Sequence, residues 1–307
     1  MEKYFGFIGV TTGQSAIMRV FPAWAEYLGL KDVRMKGCDI PIGAPPERYR
    51  EVVEGIKADP NHLGALVTTH KIDLYRACRD MFDYLDPYAQ MLGEVSCLSK
   101  RGASFQGHAK DPISSGRTLD SMLEPGHWGR TGGEVLCLGA GGAGIAISLH
   151  LMTRPDPADR PRRIVAVDKD PDRLASMRRI LSALDSDTEV EYILSAEAST
   201  NDGLMAALPP CSMVINATGM GKDRPGSPIS DEARFPERGI VWELNYRGAL
   251  DFLHQAERQA QERSLQIHDG WIYFIHGWTS VMEQVFDIAI SPQQLAEMST
   301  IARRAFA

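Results

Sequence analysis

The sequence predicts an α/β fold of two domains, and three observations support this prediction. The chain has 307 residues, enough for one large or two ordinary domains with a sizeable apolar core. Short apolar runs alternate with amphipathic segments along most of the chain, which is the pattern of parallel strands joined by helices. A glycine-rich turn directly follows one of these apolar runs, after Leu138.

Composition narrows the class of protein. Hydrophobic residues make up 44% of the chain and charged residues 24%, as in globular domains. The net charge is −7 without a basic block, so we expect neither nucleic acid nor a membrane surface as a partner. Five scattered cysteines without a C-x-x-C pair indicate thiols in a reducing compartment and no metal site. With no signal-peptide layout at its start and no apolar run of membrane-spanning length, the protein is expected to be cytoplasmic.

The first part of the chain alternates strands and helices. The predicted strands are 4–10, 33–40, 63–68, 94–99 and 103–108. The predicted helices are 15–28, a segment that begins near Pro46, a segment that ends at Met81, and 88–92. The order βαβαβ at the start indicates a parallel sheet, and ligands of such sheets bind at the carboxyl ends of the strands.

The second part repeats this alternation after a helix over 113–123 and a polar segment, 124–133, which we interpret as the linker between domains. The predicted strands are 135–138, 163–168, 189–194, 212–216, 239–244 and 265–268. The predicted helices are 145–152, 171–184, 248–263 and most of the tail from Trp271 to the end.

The glycine turn has the spacing Gly139-x-Gly141-x-x-Gly144 between a strand and a helix. Gly139 permits a tight turn, and Gly141 allows the backbone to approach phosphate groups closely. The first turn of the following helix offers unpaired N–H groups and the positive end of its dipole. The spacing predicts a dinucleotide-binding Rossmann domain, and the alternative is a plain glycine-rich helix start.

Asp168 ends the strand that follows the glycine turn. A carboxylate there accepts hydrogen bonds from adenosine ribose hydroxyls and repels a 2′-phosphate, which predicts NAD(H) rather than NADP(H). The alternative for Asp168 is a helix cap, a role that Asp170 could also fill. Lys169 and Arg163 lie nearby, so NADP remains open.

Lys71 and Asp111 are the candidate catalytic pair because each follows a strand-like stretch in the first part of the chain. A lysine ammonium can exchange a proton with a substrate hydroxyl, and a carboxylate can orient it. The alternative is an ordinary solvated lysine.

Ser15, Thr68 and Ser96 lie at predicted strand-to-loop edges, where their hydroxyls could bind a polyhydroxylated ligand or serve only as turn residues. His276 lies in an aromatic stretch, and it is either a ligand-binding residue or a histidine of the core.

Seven motifs follow one another in an order that resembles the shikimate dehydrogenase family along nearly the full chain. They are Gly6-Phe-Ile-Gly-Val with Gly13-Gln-Ser15, Gly64-Ala-Leu-Val-Thr-Thr-His-Lys71, Leu85-Asp-Pro with Gly93-Glu-Val-Ser-Cys97, Gly107-His-Ala-Lys-Asp111, Leu138-Gly-Ala-Gly-Gly-Ala143, Val214-Ile-Asn-Ala-Thr-Gly-Met220, and Asp269-Gly270.

The resemblance implies a substrate domain over 1–112, completed by C-terminal helices over 272–307, and a Rossmann NAD(P)-binding domain over 113–271. It implies that Lys71 and Asp111 are catalytic and that Ser15, Thr68 and Ser96 lie near the substrate. The family's late glutamine has no clear match, but His276 or Gly277 lies near that position, and we include His276 among the substrate-binding candidates. It assigns to the cofactor Gly139, Ala140, Gly141, Gly142, Ala143, Asn216, Ala217, Thr218, Gly219, Met220 and Gly270. We add Asp168 and Lys169 as cofactor-binding candidates because of their position at the end of the strand after the glycine turn.

The chain also departs from the family pattern. The family's substrate-binding asparagines are replaced by Leu66, Ser96 and Ala109, and the second serine of its Ser-x-Ser motif is Ile17. We therefore expect an NAD-dependent oxidoreductase that transfers a hydride to or from a secondary alcohol or ketone of a cyclic or polyhydroxylated small molecule. The alternatives are a genuine shikimate or quinate dehydrogenase and a non-catalytic NAD-binding regulator, in each case a monomer or homodimer.

Overall fold

The computed structural model describes residues 2–222 and 224–306 and divides the chain into two compact units. Unit 1 comprises Met1–Lys110 and Ile275–Ala307, and unit 2 comprises Asp111–Phe274. Unit 1 is therefore discontinuous, because the whole of unit 2 lies between its two segments. The predicted α/β class is confirmed, since each unit contains one six-stranded sheet with helices between its strands.

The amino-terminal segment of unit 1 supplies all six strands of its sheet. The strands are β1 (Lys3–Gly9), β2 (Val33–Asp39), β3 (His62–Val67), β4 (Tyr84–Leu85), β5 (Cys97–Arg101) and β6 (Ser104–His108). The helices are α1 (Ile17–Tyr27), α2 (Pro46–Ala58), α3 (Lys71–Cys78) and α4 (Pro87–Leu92). A 3₁₀ turn at Thr12–Gln14 precedes α1, and another at Arg79–Met81 follows α3.

The sheet of unit 1 has the strand order β2-β1-β3-β5-β6-β4. The strands β2, β1 and β3 are parallel, whereas β5 is antiparallel to both β3 and β6. The carboxyl ends of the three parallel strands meet at one edge, so the segments that follow Gly9, Asp39 and Val67 emerge there. This edge positions two predicted substrate residues and the predicted catalytic lysine.

Unit 2 begins with α5 (Asp111–Met122) and a short helix, α6 (His127–Thr131). Its strands are β7 (Val135–Leu138), β8 (Arg163–Asp168), β9 (Glu189–Leu194), β10 (Met213–Asn216), β11 (Ile240–Glu243) and β12 (Gln266–His268). Its remaining helices are α7 (Gly142–Met152), α8 (Pro171–Leu181), α9 (Ala198–Ala206) and α10 (Asp251–Glu257).

The sheet of unit 2 has the order β12-β11-β10-β7-β8-β9, with all strands parallel. Every residue of β7, β10 and β11 is buried, which explains why β7 is an unbroken apolar run and why β10 and β11 are apolar up to their last residues, Asn216 and Glu243. The chain proceeds outward from β7 first in one direction, through β8, and then in the other, through β10. This reversal is the topological switch point at which ligands of open α/β sheets bind.

The chain ends with α11 (Trp271–Phe286) and α12 (Pro292–Phe306). These helices pack on the sheet and helices of unit 1: the rings of Phe5 and Phe286 lie 5.2 Å apart, and Phe5 meets Trp278 at 6.3 Å. The indole nitrogen of Trp24, on α1, donates a hydrogen bond to the backbone oxygen of Met298, 2.7 Å away. The apolar core of unit 1 therefore depends on both of its chain segments.

Several predicted elements differ from the observed ones. The predicted linker 124–133 is wrong, because it lies inside unit 2 and contains α6, whose Trp128 is buried. The predicted helix 248–263 is shorter, since it begins after Leu250, which has a positive φ of 54°, and ends at Glu257. Helix α9 was not predicted, because its small and polar residues lack an amphipathic pattern.

Candidate functional site

The glycine turn of unit 2 is built from three glycines that serve different purposes. Gly139 has a φ of 112°, and a Cβ on it would lie 2.7 Å from the backbone of Ala217. A Cβ on Gly144 would lie 2.1 Å from the backbone oxygen of Gly139. A Cβ on Gly141 would meet nothing within 4 Å, and its φ of −75° suits any residue. The fold itself thus excludes side chains at two positions, and leaves open space beside the third.

This open space adjoins the amino terminus of α7, which is 11 residues long. Its cap residue is Gly141, and no side chain caps the helix, so the N–H groups of its first turn remain available to a ligand. Aligned N–H groups and the positive end of the helix dipole favour a phosphate group there. The site therefore fits the pyrophosphate of a dinucleotide.

Asp168 lies at the end of β8, beside the glycine turn, and is buried. One carboxylate oxygen accepts a hydrogen bond from the Ala140 backbone N–H at 2.8 Å, and the other accepts from the Asp170 backbone N–H at 3.0 Å. Asp170 caps α8 by accepting from the backbone N–H groups of Asp172 and Arg173. Of the two acids between which the sequence left this role open, Asp170 is therefore the cap.

A cavity of about 430 Å³ opens next to Asp168 within unit 2. Charged side chains of both signs line it: Asp168, Lys169, Asp170, Arg173 and Arg224. The Arg173 guanidinium lies 3.6 Å from the Asp170 carboxylate and 4.0 Å from that of Asp168. Thr218 and Met220, from the loop after β10, line the same cavity.

The predicted cofactor loop, Asn216 to Met220, follows β10 at the same edge of the sheet. The Ala217 N–H donates to the backbone oxygen of Leu138, 2.7 Å away, which ties the loop to the strand before the glycine turn. Gly270 lies against the chain that follows β11, and a Cβ on it would lie 2.0 Å from the Leu244 backbone oxygen. A side chain at position 270 would therefore clash with the backbone, so this position requires glycine.

In unit 1, Lys71 is the first residue of α3 and is half-buried. Its N–H donates to the Thr68 backbone oxygen at 3.2 Å, and its own backbone oxygen accepts from Val95 at 3.1 Å. Thr68 is held in turn by donation of its N–H to the Ile8 oxygen at 3.0 Å. Lys71 therefore starts from a fixed backbone turn at the carboxyl edge of the sheet.

His70 anchors this turn, and the sequence reasoning missed it. The ring is buried, its Nε2 donates to the Ile40 backbone oxygen at 2.8 Å, and its Nδ1 lies 3.1 Å from the Tyr49 hydroxyl. Since a carbonyl oxygen only accepts, the proton resides on Nε2 and the tyrosine hydroxyl donates to Nδ1. These contacts connect three separate segments, so no local sequence pattern reveals them.

Ser15 is half-buried and follows the 3₁₀ turn at the end of β1. The turn is fixed from β2, because the Asp39 carboxylate accepts from both the N–H and the hydroxyl of Thr12, at 2.7 and 2.5 Å. These two hydrogen bonds hold the pKa of Asp39 below its usual value. Ser15 and Thr68 thus follow neighbouring parallel strands, β1 and β3, at one edge.

Ser96 and His276 are more deeply buried than candidate ligand-binding residues usually are. The Ser96 hydroxyl oxygen accepts from the Lys110 N–H at 2.7 Å, which holds the chain just before Asp111. His276 lies on α11, in the carboxyl-terminal segment of unit 1. Asp111 is the first residue of α5, where its backbone oxygen accepts from the Ser115 hydroxyl at 2.6 Å.

Asp86 also fixes the chain before Asp111. Its Oδ1 accepts from the backbone N–H groups of Ala89 and Ala109, and its Oδ2 lies 3.5 Å from Nδ1 of His108. Burial alone would raise the pKa of Asp86, but hydrogen bonds from His108 and these N–H groups hold it below its usual value. Ser99 completes a serine–histidine–aspartate chain, but its hydroxyl is fully buried, so this cluster is structural.

Glu243, at the end of β11, is another residue that the sequence reasoning missed. It is fully buried, and burial raises its pKa to about 7. Within residues 2–222 and 224–306, no group of three His, Cys, Asp or Glu side chains could hold a metal ion. No helix in that part of the chain is both long and apolar enough to cross a membrane.

No family model matches the sequence, but curated relatives do. The shikimate dehydrogenase (NADP(+)) of Thermococcus kodakarensis is 24% identical over 230 residues, which cover 75% of this chain and 72% of the relative. The enzyme of the same name from Symbiobacterium thermophilum is 25% identical over 244 residues, which cover 79% and 76%. The chain is therefore similar in sequence to shikimate dehydrogenases over about three quarters of its length.

The fold of the shikimate dehydrogenase family extends over the whole chain. The structure of quinate dehydrogenase from Corynebacterium glutamicum in complex with NAD has a TM-score of 0.74 at 18% identity and covers 99% of both chains. Shikimate 5-dehydrogenase from Thermus thermophilus, in complex with NADP(H) and shikimate, has a TM-score of 0.72 at 22% identity. A 5-ketofructose reductase from a Gluconobacter species also has a TM-score of 0.72, at 19% identity, and both structures match with 99% coverage of both chains.

Proposed function

We propose that this chain is a nicotinamide-dependent dehydrogenase that acts on a CH–OH group of a cyclic or polyhydroxylated small molecule. The observation that carries this proposal is the glycine turn of unit 2. Its outer glycines are required by the backbone, while Gly141 faces open space beside an uncapped helix. A cavity of about 430 Å³ opens beside Asp168, which accepts a hydrogen bond from the turn at Ala140. The names of the relatives, all of them dehydrogenases of shikimate, support the same reaction class.

The cofactor would accept or donate the hydride. The N–H groups at the start of α7 would hold its pyrophosphate, and Gly139 to Ala143 would keep side chains away from it. The loop from Asn216 to Met220 and Gly270 would hold its other end, as the family resemblance implies. Asp168 and Lys169 would lie at the adenosine ribose.

We propose NAD(H) as the preferred cofactor, although the curated relatives are named for NADP(+). A carboxylate offers about four lone-pair sites, and two of those on Asp168 accept backbone N–H groups. The remaining sites suit ribose hydroxyls, whereas a 2′-phosphate would bring about two negative charges to a buried carboxylate. Arg173 is already within ion-pair distance of Asp170, so its guanidinium would attract a 2′-phosphate more weakly than an isolated guanidinium would.

Lys71 and Asp111 are the proposed catalytic residues. Lys71 would take up or release the proton of the substrate hydroxyl, because an ammonium group of adjustable pKa suits general acid–base chemistry. Asp111 would orient the reacting groups. A non-catalytic regulator on the same fold has no need of either side chain, so the presence of both favours an enzyme.

The substrate remains a choice between two chemical classes. At three positions where the family resemblance implies a polar side chain that binds shikimate, this chain has Leu66, Ala109 and Ile17. All three are buried apolar side chains. Each missing hydrogen bond would weaken shikimate binding by about 1 kcal/mol. We therefore favour another polyhydroxylated ring or sugar ketone over shikimate and quinate, and a 5-ketofructose reductase with the same fold makes sugar ketones reasonable test substrates.

A panel assay tests these proposals. The purified protein is incubated with NAD or NADP and shikimate, quinate and other cyclic polyols, and with NADH or NADPH and sugar ketones, while nicotinamide absorbance is followed. Turnover of a polyol or sugar ketone other than shikimate, with NAD(H), is expected. Robust turnover of shikimate with NADP would overturn both the substrate and the cofactor proposal, and tight NAD binding without any turnover would favour a regulator.

A variant separates the two cofactors. Asp168→Asn removes the charge that repels a 2′-phosphate, so the ratio of kcat/KM for NAD over NADP should fall by roughly tenfold or more. Asp172→Asn is the matched control, because this exposed acid lies four residues further along, on α8, and does not line the cavity. An unchanged ratio in Asp168→Asn would contradict the role given to this carboxylate.

A further inference from the structure

A carboxylate is an unusual group for the position of Glu243. The side chain lies at the end of β11, between β10 and β12, and is fully buried. Its Oε2 accepts a hydrogen bond from Nδ2 of Asn216 at 2.7 Å, and its Oε1 accepts from the Asn245 backbone N–H at 2.7 Å. Burial raises its pKa to about 7, although the hydrogen bonds from both asparagines act in the opposite direction.

The side chains of Asn216 and Asn245 also form hydrogen bonds with the loop that follows β10. Oδ1 of Asn216 accepts from both the N–H and the hydroxyl of Thr218, at 3.1 and 2.6 Å. The Met220 backbone oxygen accepts from Nδ2 of Asn245 at 2.9 Å and from Nδ2 of Asn216 at 3.3 Å. The Met220 N–H donates to the Thr218 hydroxyl at 3.1 Å. Both ends of the segment 216–220 are thus fastened to a pair of side chains that Glu243 orients.

The chemistry of this network calls for a group that only accepts hydrogen bonds. An ionised carboxylate presents acceptors to both donors, whereas glutamine presents one oxygen and one NH₂ group. With glutamine, the NH₂ group would face either the Asn216 amide N–H or the Asn245 N–H, and one hydrogen bond would be lost. An apolar residue would leave both donors without a partner in a buried site.

The loop held in this way adjoins the glycine turn. Ala217 contacts the backbone at Gly139 so closely that no Cβ fits there, and Thr218 and Met220 line the 430 Å³ cavity with Asp168. We propose that Glu243 is a positioning residue that, through Asn216 and Asn245, holds the loop 216–220 in the conformation that receives the dinucleotide. This inference rests on the proposed function, because that function assigns the loop to the cofactor.

The test compares wild type with Glu243→Gln and uses NADH as the probe. NADH affinity, measured by calorimetry or by nicotinamide fluorescence, is expected to fall by roughly tenfold, and the KM for NAD should rise more than kcat at saturating NAD falls. Glu237→Gln is the matched control, since it removes the same charge from an exposed side chain near the start of the same strand and should leave both values unchanged.

A pH profile distinguishes positioning from general loosening of the fold. Because the network needs the ionised form, wild-type affinity for NADH should weaken as the pH falls below about 7, and the profile of Glu243→Gln should lack this decrease. Other titratable side chains on elements packed against β11 contribute equally to both proteins: His268 on β12, Tyr273 on α11, and Asp251, His254 and Glu257 on α10. The difference between the two profiles therefore belongs to Glu243.

Failure of the positioning role and failure of the proposed function would give different results. Wild-type affinity and a wild-type pH profile in Glu243→Gln would overturn the positioning role and leave the proposed function intact. Absence of dinucleotide binding by the wild type would overturn the proposed function and with it this role. If Glu243→Gln fails to fold, Asn245→Ala decides, because it keeps the backbone N–H bond to Glu243 and removes the side-chain contacts of Asn245 with Met220 and Glu243. Unchanged NADH affinity in that variant would overturn the proposal.

Discussion

Replacing Gly141 by alanine separates what the fold requires from what a ligand requires. The added Cβ meets no atom of the protein within 4 Å, and the φ and ψ angles of −75° and −175° are extended backbone that alanine adopts readily. Alanine reduces the freedom of the unfolded chain, which stabilises by about 0.4–1 kcal/mol, but it is a poorer helix cap than glycine by a few tenths of a kcal/mol. The free energy of unfolding should therefore change by less than about 1 kcal/mol.

The effect of the same substitution on the cofactor should be large. A phosphate oxygen that accepts an N–H at the start of α7 sits about 2.9 Å from the nitrogen, whereas a methyl carbon needs about 3.5–4 Å to its non-bonded neighbours. Both cannot occupy the space beside Gly141. NADH affinity should fall by roughly 100-fold, equivalent to about 2.7 kcal/mol.

The assay pairs thermal unfolding with NADH titration in wild type, Gly141→Ala and Gly203→Ala. Gly203 is an exposed residue of α9 that also has no neighbour within 4 Å of an added Cβ, so its alanine variant controls for the loss of a glycine. It should gain up to about 1 kcal/mol, or roughly 2–4 °C in Tm, and bind NADH normally. Tight NADH binding by Gly141→Ala would refute the assignment of the open space to a dinucleotide.

Three further predictions address the other parts of the molecule. Lys71→Ala should lower kcat by orders of magnitude while NADH affinity stays unchanged, which steady-state kinetics and titration check together. The pKa of Glu243 is raised from 4.5 to about 7 in the folded protein, so ionisation of this group opposes folding as the pH rises. The free energy of unfolding of Glu243→Gln, measured in urea, should therefore increase by roughly 2–3 kcal/mol relative to that of wild type between about pH 5 and pH 8. A difference between the two proteins that does not change with pH would contradict that pKa. Trp24→Ala should lower the free energy of unfolding by about 3–5 kcal/mol, since it removes a fully buried indole and its bond to Met298, and intact stability would show that the carboxyl-terminal helices do not complete this core.

The sequence predicted the strands and the glycine turn of unit 2 well because their signals are local. β7 is an apolar run, the glycine turn follows it within one residue, and Asp168 ends the next strand, so each feature can be recognised from a few neighbouring residues. The choice between Asp168 and Asp170 as the cap of α8 could not be made from sequence, because both precede the helix. The structure decides it through the direction of the backbone N–H groups, which point to Asp170.

The features that the sequence did not reveal are those made by contacts between distant segments. Asn216 and Glu243 are 27 residues apart and meet only because β10 and β11 are neighbours in register. His70 is fixed by Tyr49 and by the backbone of Ile40, which lie on two other segments. A pattern within one segment carries no information about such pairings, whereas the strand order of the sheet does.

The discontinuity of unit 1 has a consequence for how the chain folds as it is synthesised. Unit 2 is one uninterrupted stretch, and its last strand, β12, is translated before α12. Trp24, Phe5 and Phe21 emerge first, yet their partners Met298 and Phe286 emerge among the last residues. Until those partners are translated, these aromatic side chains of unit 1 stay uncovered, and exposed apolar surface of this kind makes a folding intermediate prone to aggregation. Ribosome pausing or carboxyl-terminal truncation would prolong that exposure and favour aggregation through the amino-terminal half.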